Sequence, residues 1–336
     1  MKGGMDLNKN FMNFILLAIS FASSLFAAEL YLRWNPPVAV YMATRNIVQQ
    51  THSEPSSDPR ISYIPRAGLI KPFRNREFNT TVKINSMNMR DREYSLEKPV
   101  GVKRIAAMGD SFVFGWGVEN PEVFTEILET KLLKNTEVLN FGVSGYAAYQ
   151  ELERLKKEAL RFHPDVVLFF LYGIPEEYTG VDPVEEQSPP RSLKKDIVRF
   201  FEKYSYLFVL FQESRGVLQV SKVSRDPAKQ LSEIEKGWDV LKSLKKMSED
   251  SHFVPIVIYI PVKQYAFQGK DSDAQRVLDY CLNENLPFLD LTAPLHDAWL
   301  RDEVPYFRID DHWNRVGHRT VAQSIKSFLE EKQLAS

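Results

Sequence analysis

Cysteine is almost missing from this chain. Cys281 stands alone among 336 residues, which excludes an internal disulfide and any site built from several thiolates. Its apparent helical surroundings, Ala274 to Glu284, suit a small buried side chain and leave the compartment open. Net charge is missing too. Lys and Arg number 43 against 44 Asp and Glu, a formal charge of -1, so the balance gives no reason to expect nucleic acid or an acidic polymer as partner. No His, Asp and Glu cluster has metal-ligand spacing and no glycine-rich loop suits a nucleotide, so no cofactor is expected. The last absence is local: from Phe11 to Ala28 there is no charged residue.

That uncharged run passes Glu29 and continues into Leu30-Tyr31-Leu32-Arg33-Trp34. It approaches the ~20 apolar residues of a spanning helix, with Tyr31 and Trp34 at interfacial positions. A signal peptide is the competing reading, because Ala22-Ser23-Ser24 offers a small-residue cleavage site. The apolar run goes on through that site, which favours an uncleaved transmembrane helix at 11–32 behind a short tail at 1–10. Lys2 and Lys9 before the helix are matched by Arg33 and Arg45 after it, so charge alone does not orient it.

Residues 33–60 carry Pro36, Pro37, Pro55 and Pro59 and read as a linker off the bilayer. Residues 61–101 read as a small β appendage: Thr80 to Asn85 alternates like a half-exposed strand, and Asn85 to Asp91 has turn chemistry. Its expected role is a packing flap against the body rather than a binding module.

From about 102 the chain alternates strand and helix, the rhythm of an α/β domain with a parallel sheet covered on both faces. Strands are expected at Arg104 to Met108, Glu137 to Asn140, Asp165 to Leu171, Phe253 to Ile260 and Leu286 to Leu289. Helices are expected beyond Phe124, at Ala147 to Phe162 and at Val316 to Leu329. Between the third and fourth strands a helical insertion, about 175–235, interrupts the rhythm. In it Leu193, Ile197, Phe200, Phe201, Tyr204, Leu207, Phe208 and Phe211 form an aromatic stripe, expected to pack on the body or on the helix marked by Ile234, Trp238 and Leu241.

The strand at Arg104 stops on Gly109-Asp110-Ser111. Ser111 therefore falls on a strand-to-helix turn at the carboxyl end of a central strand, where open α/β sheets bind their ligands. Taken alone, Gly-Asp-Ser reads equally well as a polar turn. Two further stretches share that edge. Asn140-Phe141-Gly142-Val143-Ser144-Gly145 leaves the second strand, with glycines where backbone would approach a ligand. Asp310-Asp311-His312-Trp313-Asn314-Arg315-Val316-Gly317-His318 precedes the last helix. Residues two apart in an extended segment share a side, so Asp310 can reach the ring of His312 while Asp311 points away.

These blocks resemble the SGNH/GDSL hydrolase superfamily. Gly109 to Phe112 is similar to its first block, Asn140 to Gly145 to its second, and Asp310 to His318 to its last, in the Asp-x-His-Trp-Asn form of membrane-associated, glycan-modifying members. An N-terminal membrane helix and an Asn-Ser-x-x-x-Arg-Asp stretch, here Asn85 to Asp91, match bacterial members as well. The resemblance implies a flavodoxin-like three-layer α/β/α fold and ester chemistry by a Ser111-His312-Asp310 triad, with the backbone N–H groups of Ser111 and Gly142 as oxyanion hole. His318, His163, His252 and His296 are read as structural, and Ser144 as no nucleophile.

Two departures accompany it. The third block of the family carries an asparagine that helps hold the oxyanion, whereas Gly173-Ile174-Pro175-Glu176-Glu177 stands here. Asn88 replaces the turn glycine of the Arg-Asp stretch, a mild change because asparagine tolerates left-handed geometry. The leading expectation is a membrane-anchored serine esterase removing an acyl group, acetyl among the candidates, from a glycan or lipid-linked substrate. The alternatives are an O-acyltransferase of cell-surface polysaccharide using the same triad, and a catalytically weak scaffold that binds glycan. The expected location is the membrane, with the domain outside the cytoplasm, on the periplasmic side in a Gram-negative cell.

Overall fold

A computed structural model describes residues 4–35, 52–58, 60–75, 77–173, 200, 205–208, 210–211 and 227–335. Residues 36–51 of the expected linker, Ile174 and Pro175, and most of the insertion lie outside them. The chain divides into two compact units, Met1–Val48 with Gln187–Ser224, and Gln49–Glu186 with Arg225–Ser336.

In the first unit, helix α1 (Gly4–Trp34) runs for 31 residues, or about 46 Å at a rise of ~1.5 Å per residue. Among the described residues it is the one helix long and apolar enough to cross a membrane. Its large side chains, such as Phe14, Leu17 and Phe26, are exposed. Glu29 is the acidic residue near its end. Its Oε1 accepts from Arg33 Nε (2.8 Å) and Tyr206 N–H (2.9 Å), and its Oε2 from Ser205 Oγ and Leu207 N–H (both 3.0 Å). The described turn at 205–208 is thus tied to α1. The physical reason is that the free N–H groups opening a helical turn need an acceptor, and a carboxylate supplies one.

The second unit opens with two antiparallel hairpins, β1 (Ser53–Pro55) with β2 (Tyr63–Pro65), and β3 (Ile70–Arg74) with β4 (Asn79–Lys83). The first lies partly in the stretch read as linker. It is too short and too rich in proline and serine to show as strand by composition. Five parallel strands follow: β5 (Lys103–Met108), β6 (Thr136–Asn140), β7 (Val166–Tyr172), β8 (Val254–Ile260) and β9 (Phe288–Asp290). Their spatial order is β6-β5-β7-β8-β9, the flavodoxin-like 2-1-3-4-5 arrangement.

Alternation explains why these strands are apolar throughout. Ile105, Ala107, Leu168, Phe170, Ile256 and Ile258 face one core, and Ala106, Met108, Val167, Phe169, Val257 and Tyr259 the other. Each fully buried large side chain contributes ~1.5–3 kcal/mol, so both faces must be roofed. The first core is closed by α3 (Phe124–Ile127), α8 (Thr292–Leu300) and α9 (Arg315–Glu331). The second is closed by α4 (Ala148–Lys157), α5 (Pro227–Ser251) and α7 (Ser272–Glu284).

Several boundaries differ from the sequence reading. The helix expected to Phe162 ends at Lys157 and restarts as a 3-10 turn, Ala159–Phe162, capped by His163 at φ 50°. The helix beyond Phe124 becomes a π turn at Leu128–Leu132. Cys281 is fully buried in α7, and burial pushes its thiol up to about 12.

Candidate active site

Strand β5 delivers Ser111 to the edge expected. Asp110 caps the following helical turn, α2 (Ser111–Phe114), by accepting from Phe112 N–H at 2.9 Å, and Gly115 closes it at φ 83°. Gly109 is required by packing: a Cβ there would lie 2.3 Å from Val113 Cγ2. Since β5 sits between β6 and β7, the loops leaving β5 and β7 diverge, which opens a crevice at this switch point.

The Asn85 to Asp91 stretch binds the first two blocks together. Asn85 Oδ1 accepts from the N–H groups of Met87 and Met89 (both 2.9 Å), and Asn88 sits at φ 60°, the left-handed geometry expected of it. Buried Arg90 donates to the carbonyls of Phe114 (3.1 Å), Gly115 and Val118 (2.5 Å), gripping the turn that carries Ser111. Asp91 Oδ2 accepts from Asn140 N–H at 2.9 Å, gripping the end of β6. Burial pushes the Asp91 carboxyl up to about 7.

Asn140 then spans the gap, its Nδ2 donating to Val113 O (2.8 Å) and its Oδ1 accepting from Gly142 N–H (2.9 Å). The Gly142 N–H, expected as one of the two oxyanion donors, has this protein acceptor in the structure. The Gly142 N–H donates to Asn140 Oδ1, while that of Ser111, at the first helical position, has no partner within its turn. Gly142 is a glycine for a different reason than ligand approach: a Cβ there would stand 2.2 Å from Phe114 N. Ser144 is buried, with an Oγ that has no hydrogen-bond partner.

The last block folds back through a Tyr306 to Trp313 bridge. Ser111 Oγ lies 2.5 Å from His312 Nε2, and His312 Nδ1 lies 2.5 Å from Asp310 Oδ1. Asp310 and His312 are buried at 0% and 4% exposure while Ser111 is partly open, so the hydroxyl is the exposed end of the chain of bonds. Asp310 Oδ1 also accepts His312 N–H at 3.0 Å. Asp311 points away, its carboxylate 3.7 Å from Lys263 Nζ. Asn314 caps α9 by accepting from Val316 N–H (2.8 Å) and holds Val304 O and Tyr306 O through its Nδ2 (both 2.8 Å). His318 is buried, stacked on Phe124 at 6.1 Å and pushed down to about 3 by burial, with Arg90 and His312 adding to it. That is a neutral packing residue.

Sequence reasoning missed Trp116. Its ring stacks on His312 at 5.3 Å and its Nε1–H donates to Asp310 Oδ2 at 3.2 Å. Behind it stand Phe73, at 4.5 Å, and Phe78, at 6.4 Å, both from the β3–β4 hairpin. The expected flap is therefore an aromatic buttress under the ring. It missed Glu77 and Lys263 as well, both of which bind the backbone of Asp310. No spacing rule could have found contacts that bridge 47 to 233 residues. Among the described residues no group of three or more His, Cys, Asp or Glu could hold a metal ion.

No protein-family model matches the chain, and no curated protein matches it. Solved structures do. A lipase/acylhydrolase from Enterococcus faecalis is similar at 16% identity and TM-score 0.40, over 69% of this chain and 97% of that one. A psychrotrophic esterase from Pseudoalteromonas is similar at 12% identity and TM-score 0.43, over 69% and 98%. A GDSL-like lipase from Bacteroides thetaiotaomicron is similar at 15% identity and TM-score 0.39, over 70% and 92%. In this chain the three blocks noted in the sequence stand in order on a five-stranded parallel sheet.

Proposed function

We propose that the chain is a membrane-anchored serine hydrolase of SGNH/GDSL type that cleaves an acyl ester of a glycan or lipid-linked substrate. The observation that carries this reading is the continuous relay Ser111 Oγ to His312 Nε2 to Asp310, with both contacts at 2.5 Å. A carboxylate on Nδ1 fixes the proton there and leaves Nε2 as acceptor for the serine proton. In the reaction, Ser111 Oγ forms a bond to the acyl carbon as its proton passes to His312. The tetrahedral intermediate collapses, the bond to the alcohol breaks, and His312 returns the proton to the departing oxygen. Water then attacks the acyl-serine by the same route, releasing the acid and restoring Ser111. Asp310 and the face of Trp116 steady the imidazolium formed in both halves.

The Ser111 N–H serves the oxyanion directly. The Gly142 N–H joins it by sharing or leaving Asn140 Oδ1 as negative charge develops on the substrate oxygen. Incubating the protein with a fluorophosphonate probe and mapping the adduct by mass tests the reading: label is expected on Ser111 and not on Ser144. Folded protein that takes up no label at Ser111 removes the proposal.

A further inference from the structure

The loop that carries Asp310 and His312 is held by two opposite charges that act on its backbone. Phe307 N–H donates to His312 O at 3.0 Å and closes the loop on itself. Glu77 reaches it from the turn between β3 and β4, accepting Ile309 N–H on Oε1 (2.9 Å) and Asp310 N–H on Oε2 (2.8 Å). Lys263 opens helix α6 (Lys263–Gln268) after β8. Its Nζ donates to the carbonyls of Phe307 (2.9 Å), Arg308 (3.0 Å) and Asp310 (3.2 Å). The anion meets only N–H groups and the cation meets carbonyls, so each charge faces the end of the peptide dipole it favours. Such charge-assisted bonds are roughly twice as strong as neutral ones.

We infer that Glu77 and Lys263 form an ionic clamp across residues 307–310 that sets Asp310 beneath His312, as positioning residues for the reaction. The inference rests on the triad reading above. Its physical basis is leverage: both clamp residues bind the main chain of Asp310 itself, one at its N–H and one at its carbonyl. The two bonds hold the peptide units on either side of the Asp310 Cα, and rotation about that Cα would carry the carboxylate off Nδ1. Neither residue touches the reacting atoms, and neither belongs to the three sequence blocks. The hairpin of β3 and β4 therefore has a part in the chemistry beyond its aromatic packing.

The test uses the full chain in detergent, with an aryl acetate as substrate and the variants Glu77→Gln, Lys263→Met and Lys263→Arg. Glutamine keeps the size but turns an amide group toward one of the two N–H donors. A misplacement near 1 Å costs about 100-fold, so kcat should fall roughly 10- to 100-fold in Glu77→Gln and Lys263→Met while KM stays within about 2-fold. Lys263→Arg should recover most of the loss. An independent readout is the far-downfield proton resonance of the Nδ1–H to Asp310 bond, which should be present in the wild type and lost or shifted in Glu77→Gln. Wild-type kcat with an unmoved resonance in Glu77→Gln overturns the clamp, as does a fall in melting temperature and kcat with the resonance unmoved. A wild type with no Ser111-dependent turnover sinks the hydrolase reading instead, and the resonance still decides whether the clamp sets Asp310.

Discussion

Gly142→Ala separates two reasons for a glycine in the second block. If the residue were small to admit a ligand, a methyl group would obstruct substrate and raise KM with the fold untouched. The structure gives another reason. The new Cβ would stand 2.2 Å from Phe114 N, 2.6 Å from Val113 C and 2.8 Å from Phe114 Cα, all backbone atoms, where ordinary contact begins at 3.4 Å. Backbone in a capped turn gripped by Arg90 cannot swing aside as a side chain tip can, so the second block must retreat by about 1 Å. Overpacking of this kind costs typically ~1–3 kcal/mol. At about 2–4 °C per kcal/mol for a domain of this size, that is a fall of roughly 2–12 °C in melting temperature. On the proposed mechanism the same displacement draws the Gly142 N–H away from Ser111, so kcat on an aryl acetate should drop about 100-fold. Calorimetry and steady-state kinetics on one preparation read both effects. A variant that melts with the wild type and shows only a raised KM refutes the packing account.

Three further outcomes are expected. Ser111→Ala should lower kcat on aryl acetates by more than about 10⁴-fold and His312→Ala by a comparable factor, with the double variant little worse than either because the pair acts as a unit; turnover unchanged in Ser111→Ala shows that another group does the chemistry. Asp91 bears on stability against pH. The unfolded chain releases this proton near pH 4 and the folded chain at about 7, so stability falls as pH rises across that window, by up to about 1.4 kcal/mol per pH unit from this group, and levels off on either side. Urea unfolding at stepped pH should show that slope flattened in Asp91→Asn, and an unaltered slope locates the titration elsewhere. For topology, a reporter active only outside the cytoplasm, fused to the C-terminus, should be active, and a silent fusion reverses the orientation of α1.

What the sequence disclosed and what it hid divide along physical lines. Strands β5, β7 and β8 are apolar on both faces because both faces are buried, and an unbroken apolar run survives any uncertainty of register. Asp310 and His312 were legible as a pair because two residues apart on extended chain is a local relation. Asn314 and Gly317 looked like parts of a motif, yet their work is to cap α9 and to leave room for Pro305 O, which a Cβ at position 317 would meet at 2.2 Å. Helix α8 escaped notice because Pro294 reads as a breaker, although proline is accepted in a first turn. Trp116, Glu77 and Lys263 could not be read at all. Each acts on the last block across 194, 233 and 47 residues of chain, and their partners are mostly main-chain atoms, which leave no trace in composition or period.

The bonds that converge on Glu29 give α1 a second role besides any it has as an apolar helix. Four donors, from Arg33, Ser205, Tyr206 and Leu207, share its two carboxylate oxygens. A soluble form made by deleting α1 would take that acceptor away and leave the start of the 205–208 turn to water. Biochemistry done on the truncated protein would then describe an insertion that has lost its fastening, while a form keeping the helix in a micelle or nanodisc would not. Glu29→Gln in the intact chain offers a milder cut at the same joint, weakening the link without removing α1.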